Sequence, residues 1–336
     1  MSGQLFKGKL FQEDELKKYD TLYIESYSDQ LTSRLYTSRK FTSYLLSDEN
    51  AEHSLEYKPN DNLNLGFGAT YYGFSLNIGL NFPFVNNDDE LYGKTSYLDL
   101  QSHLLTRKFT FEIWLSVYNG YHVANPNSSI TDWDISNNYP YRQDMKTFVG
   151  GLSTYYIFNN RKFSYRAAFI QDEWQKKSAG SFLIGGSLYS VNIIADSSLI
   201  PYNIKDTSFY SNFHFNQSYF TTISANGGYA HSFIINKRIF FTVSLLAGIG
   251  VGSSGLKPSE GNLSPTLNKS TINANFTFRF ALGYNSRKFY IGINNVYSNF
   301  TTPSPIEETG MGLSFGNVRF NIVRRFNLKK SKTDTL

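Results

Sequence analysis

The stretch from Ile272 to Tyr284 constrains the fold more than any other part of the chain. All of its even-numbered positions are apolar, Phe278 among them, whereas its odd-numbered positions, including Arg279, are small or polar. Because side chains alternate across a strand, one face of this strand is expected to be aromatic-rich and the other polar. That pattern is typical of a strand with lipid on one side and a wet interior on the other. If it recurs, the sequence predicts an antiparallel transmembrane β-barrel.

The composition agrees with an alternating chain. Of the 336 residues, 17% are aromatic and 18% are charged, yet the mean hydropathy is −0.35, because an alternating strand averages to mild hydrophilicity however apolar one face is. No run approaches the ~20 apolar residues that a spanning helix needs. The sequence has no cysteine, which excludes disulfides and thiolate metal sites. The net charge of +5 is scattered, so we expect no nucleic-acid partner.

Thirteen runs repeat the alternation. Pairs joined by tight turns are expected at 55–71 and 74–84, 96–105 and 109–121, 147–158 and 163–173, 219–234 and 239–252, and 272–284 and 289–300. Single runs are expected at 34–46, 182–194 and 311–326. In the last run the apolar phase changes between Phe315 and Val318, which predicts a bulge near Gly316.

An odd number of strands conflicts with the even number usual in a single-chain outer-membrane barrel. The tight turns before residue 194 and after residue 218 also fall on opposite rims. A hidden strand within 195–217 gives fourteen strands and reconciles the rims, whereas omitting a weak early strand gives twelve and does not. We therefore predict twelve to fourteen strands, with fourteen favoured, over residues 31–326. Residues 1–30 are expected to form a periplasmic or lumenal segment and residues 327–336 a polar basic tail. The chain starts without an apolar signal region, so we expect a mature, exported chain.

Charged side chains in the inward phase require an aqueous or hydrogen-bonded lumen. A two-residue turn at Thr106 and Arg107 would place Gln101 opposite Glu112. His103 with Asp99 and Glu112 could hold a proton or a metal, but a polar network bracing the interior is the preferred interpretation, and we expect no metal or cofactor. The expected lumenal residues are Asp99, Gln101, His103, Glu112, Trp114, Tyr118, Arg166 and Arg279.

From Tyr19 to Phe326 the chain resembles the DUF4421 family of Bacteroidota, whose members are expected to be outer-membrane β-barrels. The strongest likeness is the string Gln175, Lys176, Lys177, Ser178, Ala179, Gly180 and Ser181, which is expected to turn the chain or to contact lipid phosphate, a plug or a partner. Further matching strings are Tyr19-Asp20-Thr21, Ser38-Arg39-Lys40, Tyr57-Lys58-Pro59-Asn60, Leu65-Gly66, Ala195-Asp196-Ser197-Ser198 and Gly227-Gly228-Tyr229. The resemblance implies a bacterial outer-membrane location. It leaves the activity open, because none of these strings is a catalytic signature.

A barrel of this size is wider than the ~8-stranded barrels that side chains fill and narrower than ~16–18-stranded porins. We therefore predict a narrow or plugged pore, or a structural subunit of an envelope complex, in contact with outer-membrane lipid, lipopolysaccharide and envelope proteins. An alternative is a lipid-modifying enzyme with a site at the rim. A soluble lipocalin-like barrel is disfavoured because one soluble core cannot bury so many aromatic faces. We expect no enzyme, since the nearest His–Ser pair, His231 and Ser232, would point to opposite faces of a strand.

Overall fold

Most of the chain forms one antiparallel sheet that closes on itself. The computed structural model describes residues 19–51, 53–61, 63–72, 74–81, 88–259 and 264–328. The strands there are β1 (Ile24–Ser26), β2 (Leu31–Asp48), β3 (Leu55–Lys58), β4 (Leu63–Tyr71), β5 (Phe74–Asn81), β6 (Ser96–Leu105), β7 (Phe109–Val123), β8 (Tyr141–Ile157), β9 (Glu173–Gln175), β10 (Ala179–Ile194), β11 (Phe215–Ile235), β12 (Ile239–Pro258), β13 (Leu267–Asn285), β14 (Phe289–Pro303) and β15 (Thr309–Phe326). Short helices occupy α1 (Asp89–Tyr92), α2 (Pro126–Ser129) and α3 (Tyr165–Phe169), and a 3₁₀ turn spans Phe209–Asn212. None of these helices is long and apolar enough to cross a bilayer.

Ten strands close the ring, in the order β15, β14, β13, β12, β11, β10, β8, β7, β3 and β2. The ring closes because β15 pairs with β2 along its whole length, from Thr309 opposite Asp48 to Phe326 opposite Leu31. Three further strands extend the sheet: β4 pairs with β2, β5 pairs with β4, and β6 pairs with β7. The predicted all-β antiparallel barrel is therefore confirmed. Strands β1 and β9 form a separate two-stranded sheet.

The two rims of the barrel differ in their connections. At the turn-side rim β2 begins, β15 ends, and short turns join β11 to β12 and β13 to β14. At the loop-side rim longer segments join β7 to β8 and β10 to β11. Of the two predicted terminal segments, 1–30 and 327–336, the structure describes residues 19–30 and 327–328. The remainder of both segments lies outside the described residues.

The prediction of twelve to fourteen wall strands, with fourteen favoured, is wrong. In the described part of the chain, ten strands close the ring. The segment 195–217 supplies no additional wall strand, because it contains the 3₁₀ turn and then the start of β11 at Phe215. Residues 163–173 were expected to cross the wall but instead contain α3 and the start of β9. The chain thus leaves β8 and enters β10 at the same rim, and the conflict between the two sets of turns disappears.

The inside–outside alternation of the wall is confirmed. On β13 the side chains of Ile272 and Leu282 are exposed, whereas those of Asn273 and Thr277 are buried. Exposed apolar side chains recur on twelve strands: Leu35, Phe67, Ile78, Leu98, Leu115, Leu152, Phe182, Ile223, Leu245, Ile272, Ile291 and Phe320. A continuous exposed apolar belt of this extent marks a surface that contacts lipid or another apolar partner.

The predicted bulge near Gly316 is wrong. The register of β15 is unbroken against both β14 and β2. Phe315 faces the lumen, where its ring lies 4.6 Å from that of Trp114 and 5.7 Å from that of Phe300. The apolar phase changes along β15 because the loop-side half of the lumen is itself apolar, while the strand keeps its geometry.

Candidate functional site

The segment 159–178, which joins β8 to β10, folds into the turn-side half of the lumen, and we call it the turn-side plug. Its apolar side chains Phe163, Tyr165 and Ala168 are at most 2% exposed. The N-cap of α3 is Ser164, whose Oγ accepts a hydrogen bond from the backbone N–H of Ala167 at 3.0 Å. The apolar alternation of this segment therefore reflects burial inside the barrel and not contact with lipid.

Buried ion pairs hold the plug in shape. Arg166, expected on a strand, lies on α3 and forms a two-point ion pair with Asp172, in which Nε and Oδ1 are 3.1 Å apart. Its Nε also lies 3.7 Å from Glu173 Oε1. Burial alone would lower the pKa of Arg166, but Asp172 and Glu173 outweigh that effect and raise the pKa above its usual value. Glu173 pairs in addition with Arg107 from the β6–β7 turn, so the plug is tied to the wall through charge.

The wall also binds the plug through hydrogen bonds, many of them to backbone carbonyls of the plug. These bonds join the plug to β2, β12, β13, β14 and β15. Arg34 donates to the carbonyl of Ile170 (2.8 Å), the Tyr165 hydroxyl of the plug donates to Ser244 Oγ (2.7 Å), Asn285 donates to the carbonyl of Glu173 (3.0 Å), the Tyr290 hydroxyl donates to the carbonyl of Ala168 (3.3 Å), and Arg325 Nε donates to the carbonyl of Gln171 (3.0 Å). Gln171 adopts φ of 65°, a left-handed conformation that is uncommon outside glycine and needs support from its surroundings. Five wall strands therefore specify one arrangement of the plug.

Residues 19–30 pack against the plug at the turn-side rim. Strand β1 pairs with β9, and the backbone N–H of Lys176 donates to the carbonyl of Tyr23 at 2.7 Å. The ammonium groups of Lys162 and Lys177 lie 5.2 and 5.4 Å from the centre of the Tyr23 ring, within cation–π range. Residues 19–30, the described part of the N-terminal segment, thus cover the plug at the turn-side rim.

The string Gln175–Ser181 joins the turn-side plug to the barrel wall. Gln175 ends β9, and its Nε2 donates to the carbonyl of Lys162 at 2.6 Å while its Oε1 accepts from the N–H of Ser164 at 2.8 Å. Ser178 Oγ accepts from the N–H of Ile234 at 2.9 Å, and Ala179, Gly180 and Ser181 begin β10. The string therefore connects the plug to β10 and β11 and is more than a hairpin turn.

Glu112 and Arg279 meet above the plug. Arg279 NH2 lies 2.5 Å from Glu112 Oε2, and both side chains are at most 4% exposed. Ser153 Oγ donates to the same carboxylate oxygen at 3.3 Å, and the Arg279 guanidinium lies 5.9 Å from the centre of the Tyr165 ring. Arg279, expected to project into the lumen, thus has an acidic partner there.

The remaining expected lumenal residues lie on β6 and β7. Trp114 and Tyr118 are buried inside, with the Tyr118 ring stacked 5.4 Å from that of Tyr97. Asp99, Gln101 and His103 lie opposite Ser116, Trp114 and Glu112, and their side chains are outside the described part.

The expected pairing of Gln101 with Glu112 is wrong. The turn is centred on Arg107 and Lys108, because the N–H of Thr106 donates to the carbonyl of Phe109 at 2.8 Å. This centre lies one residue later than expected, which shifts the partner of Glu112 from Gln101 to His103.

A second segment closes the loop-side mouth, and we call residues 195–214 the loop-side cap. Leu199, Phe209 and Tyr210 are buried in the apolar cluster that also contains Trp114 and Phe315. The hydroxyl of Tyr57 donates to the carbonyl of Leu199 at 2.5 Å, and the N–H of Tyr210 donates to Asp48 Oδ2 at 2.7 Å. The sequence signal for the cap was the pair of apolar doublets, 199–200 and 209–210, in an otherwise polar stretch.

His231 and Ser232 lie on opposite faces of β11. Ser232 is buried, with its Oγ 2.7 Å from Thr242 Oγ1, while the neighbouring His231 lies against the ring of Phe233 at 4.3 Å on the outer face. Within the described ranges, no three His, Asp or Glu side chains are grouped closely enough to hold a metal ion. The arrangement therefore presents a lumen filled from both ends by the chain's own segments.

Several solved structures resemble the chain over most of its length at low identity. The outer membrane protease OmpT of Escherichia coli is 7% identical, with 90% of this chain and 98% of that chain covered and a TM-score of 0.41. The toluene transporter TodX of P. putida is 9% identical, with 90% and 91% covered and a TM-score of 0.26. The translocator domain of autotransporter NalP from Neisseria meningitidis is 8% identical, with 89% and 88% covered and a TM-score of 0.31. These TM-scores are too low to carry an argument, so the barrel rests on this chain's own strand pairing.

The sequence comparisons give a family but no individual relative. No curated protein sequence matches the chain significantly. The family model described as Domain of unknown function (DUF4421) matches residues 18–326. Since this match spans the whole barrel, the chain belongs to the DUF4421 family.

Proposed function

We propose that the protein is a β-barrel of a bacterial outer membrane whose lumen is held closed by the turn-side plug, that is, a plugged pore. The exposed apolar belt on twelve strands supports a lipid environment, since a water-facing sheet would carry polar residues there. Short turns at one rim and long connections at the other support the orientation usual in this membrane, with the turn-side rim toward the periplasm. Outer-membrane lipid and lipopolysaccharide would then surround the belt, with envelope proteins as further partners.

One observation carries the plug proposal: Arg166, Asp172, Glu173 and Arg107 form a buried charge network that joins the plug to the wall. Burying charges is costly, and replacing such a network by apolar residues often leaves stability unchanged. A barrel that needed only a filled core could therefore use apolar side chains. Polar contacts can also exchange for water when a segment moves, so a charged attachment suits a plug that is released in response to a signal or partner.

Conductance in planar lipid bilayers tests the plug. Because the loop-side cap closes the other mouth, the test is made in a cap-less variant in which residues 199–210 are replaced by a two-residue Asn-Gly linker. We expect little conductance from the cap-less variant and steady channels when residues 163–172 are also replaced by an Asn-Gly linker, because both ends of the lumen are then cleared. In the cap-less variant, Arg166→Gln leaves Asp172 without its main partner and should give intermittent openings. Arg161→Gln changes an exposed residue in the same segment and should leave the conductance of the cap-less variant unchanged.

The opposite results point to a structural role. If the variant with both linkers folds, as judged by its heat-modifiable migration on gels, and still conducts no ions, the plugged-pore proposal fails and a closed scaffold within an envelope complex takes its place. We also propose that the chain is not an enzyme. A lipid profile altered by deleting the gene, and restored by the intact chain, would overturn that part.

A further inference from the structure

Arg319 occupies an unusual position on the inner face of β15. It lies opposite Asn294 of β14 and Ser38 of β2, and its guanidinium stacks 4.5 Å from the centre of the Tyr36 ring. In the described part of the chain no carboxylate pairs with Arg319 and no acceptor takes a hydrogen bond from it. This contrasts with Arg107, Arg166 and Arg279, each of which has a carboxylate partner.

Several other polar atoms near Arg319 lack partners. The Nε atoms of Arg34 and Arg319 and both amide atoms of Asn321 are buried without a hydrogen bond. Asn321 lies two residues from Arg319 on the same face and opposite Tyr36. A buried polar group without a partner costs about 1–3 kcal/mol, and such groups are rare enough in native proteins that a cluster calls for a bound water or ion.

A cavity of about 50 Å³ lies against Arg319. Arg279, Arg319, Asn294 and Asn317 line its wall side, and Phe169 and Ile170 of the turn-side plug line its other side. One water needs roughly 10–15 Å³ of such volume, so the cavity has room for a monatomic anion together with water. Three of its four polar residues, Arg279, Asn294 and Asn317, are less than a tenth exposed.

The charge balance favours an anion over water alone. Arg279 is neutralised by Glu112, whereas Arg34 and Arg319 are close enough to repel each other. Within the described residues, the hydrogen bonds of Arg34 go to neutral acceptors, namely Thr70, Asn77 and the carbonyl of Ile170. The carboxylate of Asp172 also acts on Arg34, but it is already paired with Arg166. Buried charges are normally paired, and arginine does not lose its proton in proteins. An anion held by Arg319 would supply the missing negative charge.

We propose that this cavity is a binding site for a small inorganic anion of halide size, held by the guanidinium of Arg319 and the amide of Asn294. The anion lies at the junction of wall and plug, so its binding stabilises the closed barrel. This inference goes beyond the plugged-pore proposal, because a closed scaffold would bind the anion equally well.

Thermal unfolding of the full chain in detergent micelles tests the site. Sodium chloride is titrated against sodium gluconate at constant ionic strength, since gluconate is too large for the cavity. We expect the melting temperature to rise with chloride and to saturate. Arg319→Met should abolish the rise, whereas Arg324→Met should keep it, because Arg324 lies on the outer face of the same strand against Phe289 and Phe326. No saturable rise in the wild type, or an equal rise in Arg319→Met, overturns the proposal.

A crystallographic measurement on the unmodified chain covers the case in which Arg319→Met does not fold. Crystals of the wild-type chain soaked in sodium bromide should show an anomalous peak in the cavity, next to the Arg319 guanidinium. Bromide peaks confined to the outer surface, with none in the cavity, would refute the site.

Discussion

Glu112 and Arg279 form an ion pair across the full width of the barrel. Strands β8, β10, β11 and β12 lie between β7 and β13 on one side of the wall, and the two side chains are 2.5 Å apart at NH2 and Oε2. An attraction between opposite sides of the wall fixes the diameter of the lumen at this level. It also separates the polar turn-side half, which holds the plug, from the apolar half around Trp114 and Phe315.

Replacing one residue of this ion pair should lower the free energy of unfolding. Glu112→Gln leaves Arg279 charged and buried, so we expect a loss of about 3–5 kcal/mol in the free energy of unfolding, measured by urea titration in micelles. The double variant Glu112→Leu with Arg279→Met should lose less, because no unpaired charge remains. Glu307→Gln, at an exposed position, is the control and should be neutral. A double variant that is less stable than Glu112→Gln would contradict this account.

The outer face at the same height should respond in the opposite way. Phe278 alternates with Arg279 and faces out, so Phe278→Arg places a charge in the apolar belt. We expect a cost of about 2–4 kcal/mol if that position lies near the bilayer midplane, seen as a reduced folded fraction on heat-modifiable gels. Ile135→Arg, at a loop position that is 85% exposed, should fold as well as wild type. Equal folding of the two variants in lipid would argue against a lipid-facing belt.

The alternation along the strands could be predicted from the sequence because it follows from strand geometry alone. It predicted the inward position of Arg279 and the outward position of Phe278. The alternation does not show, however, whether the apolar face of a segment contacts lipid or packs inside the lumen. Phe163, Tyr165 and Ala167 alternate like a lipid-facing strand although they pack inside the lumen. The phase change near Phe315 likewise suggested a bulge, while its cause is the apolar cap above it.

Two adjacent arginines of β15 offer a matched test of the contact between wall and plug. Arg325 points inward and donates from Nε to the carbonyl of Gln171 at 3.0 Å, while Arg324 points outward. Arg325→Met removes the donor and leaves that buried carbonyl without it, so we expect a loss of about 1–3 kcal/mol in unfolding free energy. Combined with replacement of the loop-side cap, Arg325→Met should also give more frequent openings in planar bilayers.

Arg324→Met is the control for that test and should leave both unfolding and conductance unchanged. Similar losses in the two variants would mean that the effect comes from net charge or from lipid contact. In that case the hydrogen bond to Gln171 would not be what fixes the plug to β15.

The absence of native cysteine makes the proposed orientation directly measurable. Ser136 is exposed in the loop-side connection between β7 and β8, and Lys288 is exposed in the turn between β13 and β14. With the loop-side rim outside the cell, a membrane-impermeant maleimide should label Ser136→Cys on intact cells and label Lys288→Cys only after the outer membrane is permeabilised. Both sites are exposed in the folded barrel, so a difference in labelling reports which side of the membrane each occupies. Labelling of Lys288→Cys alone on intact cells would indicate the opposite orientation. Labelling of both variants on intact cells would mean that the two rims do not lie on opposite sides of a sealed membrane.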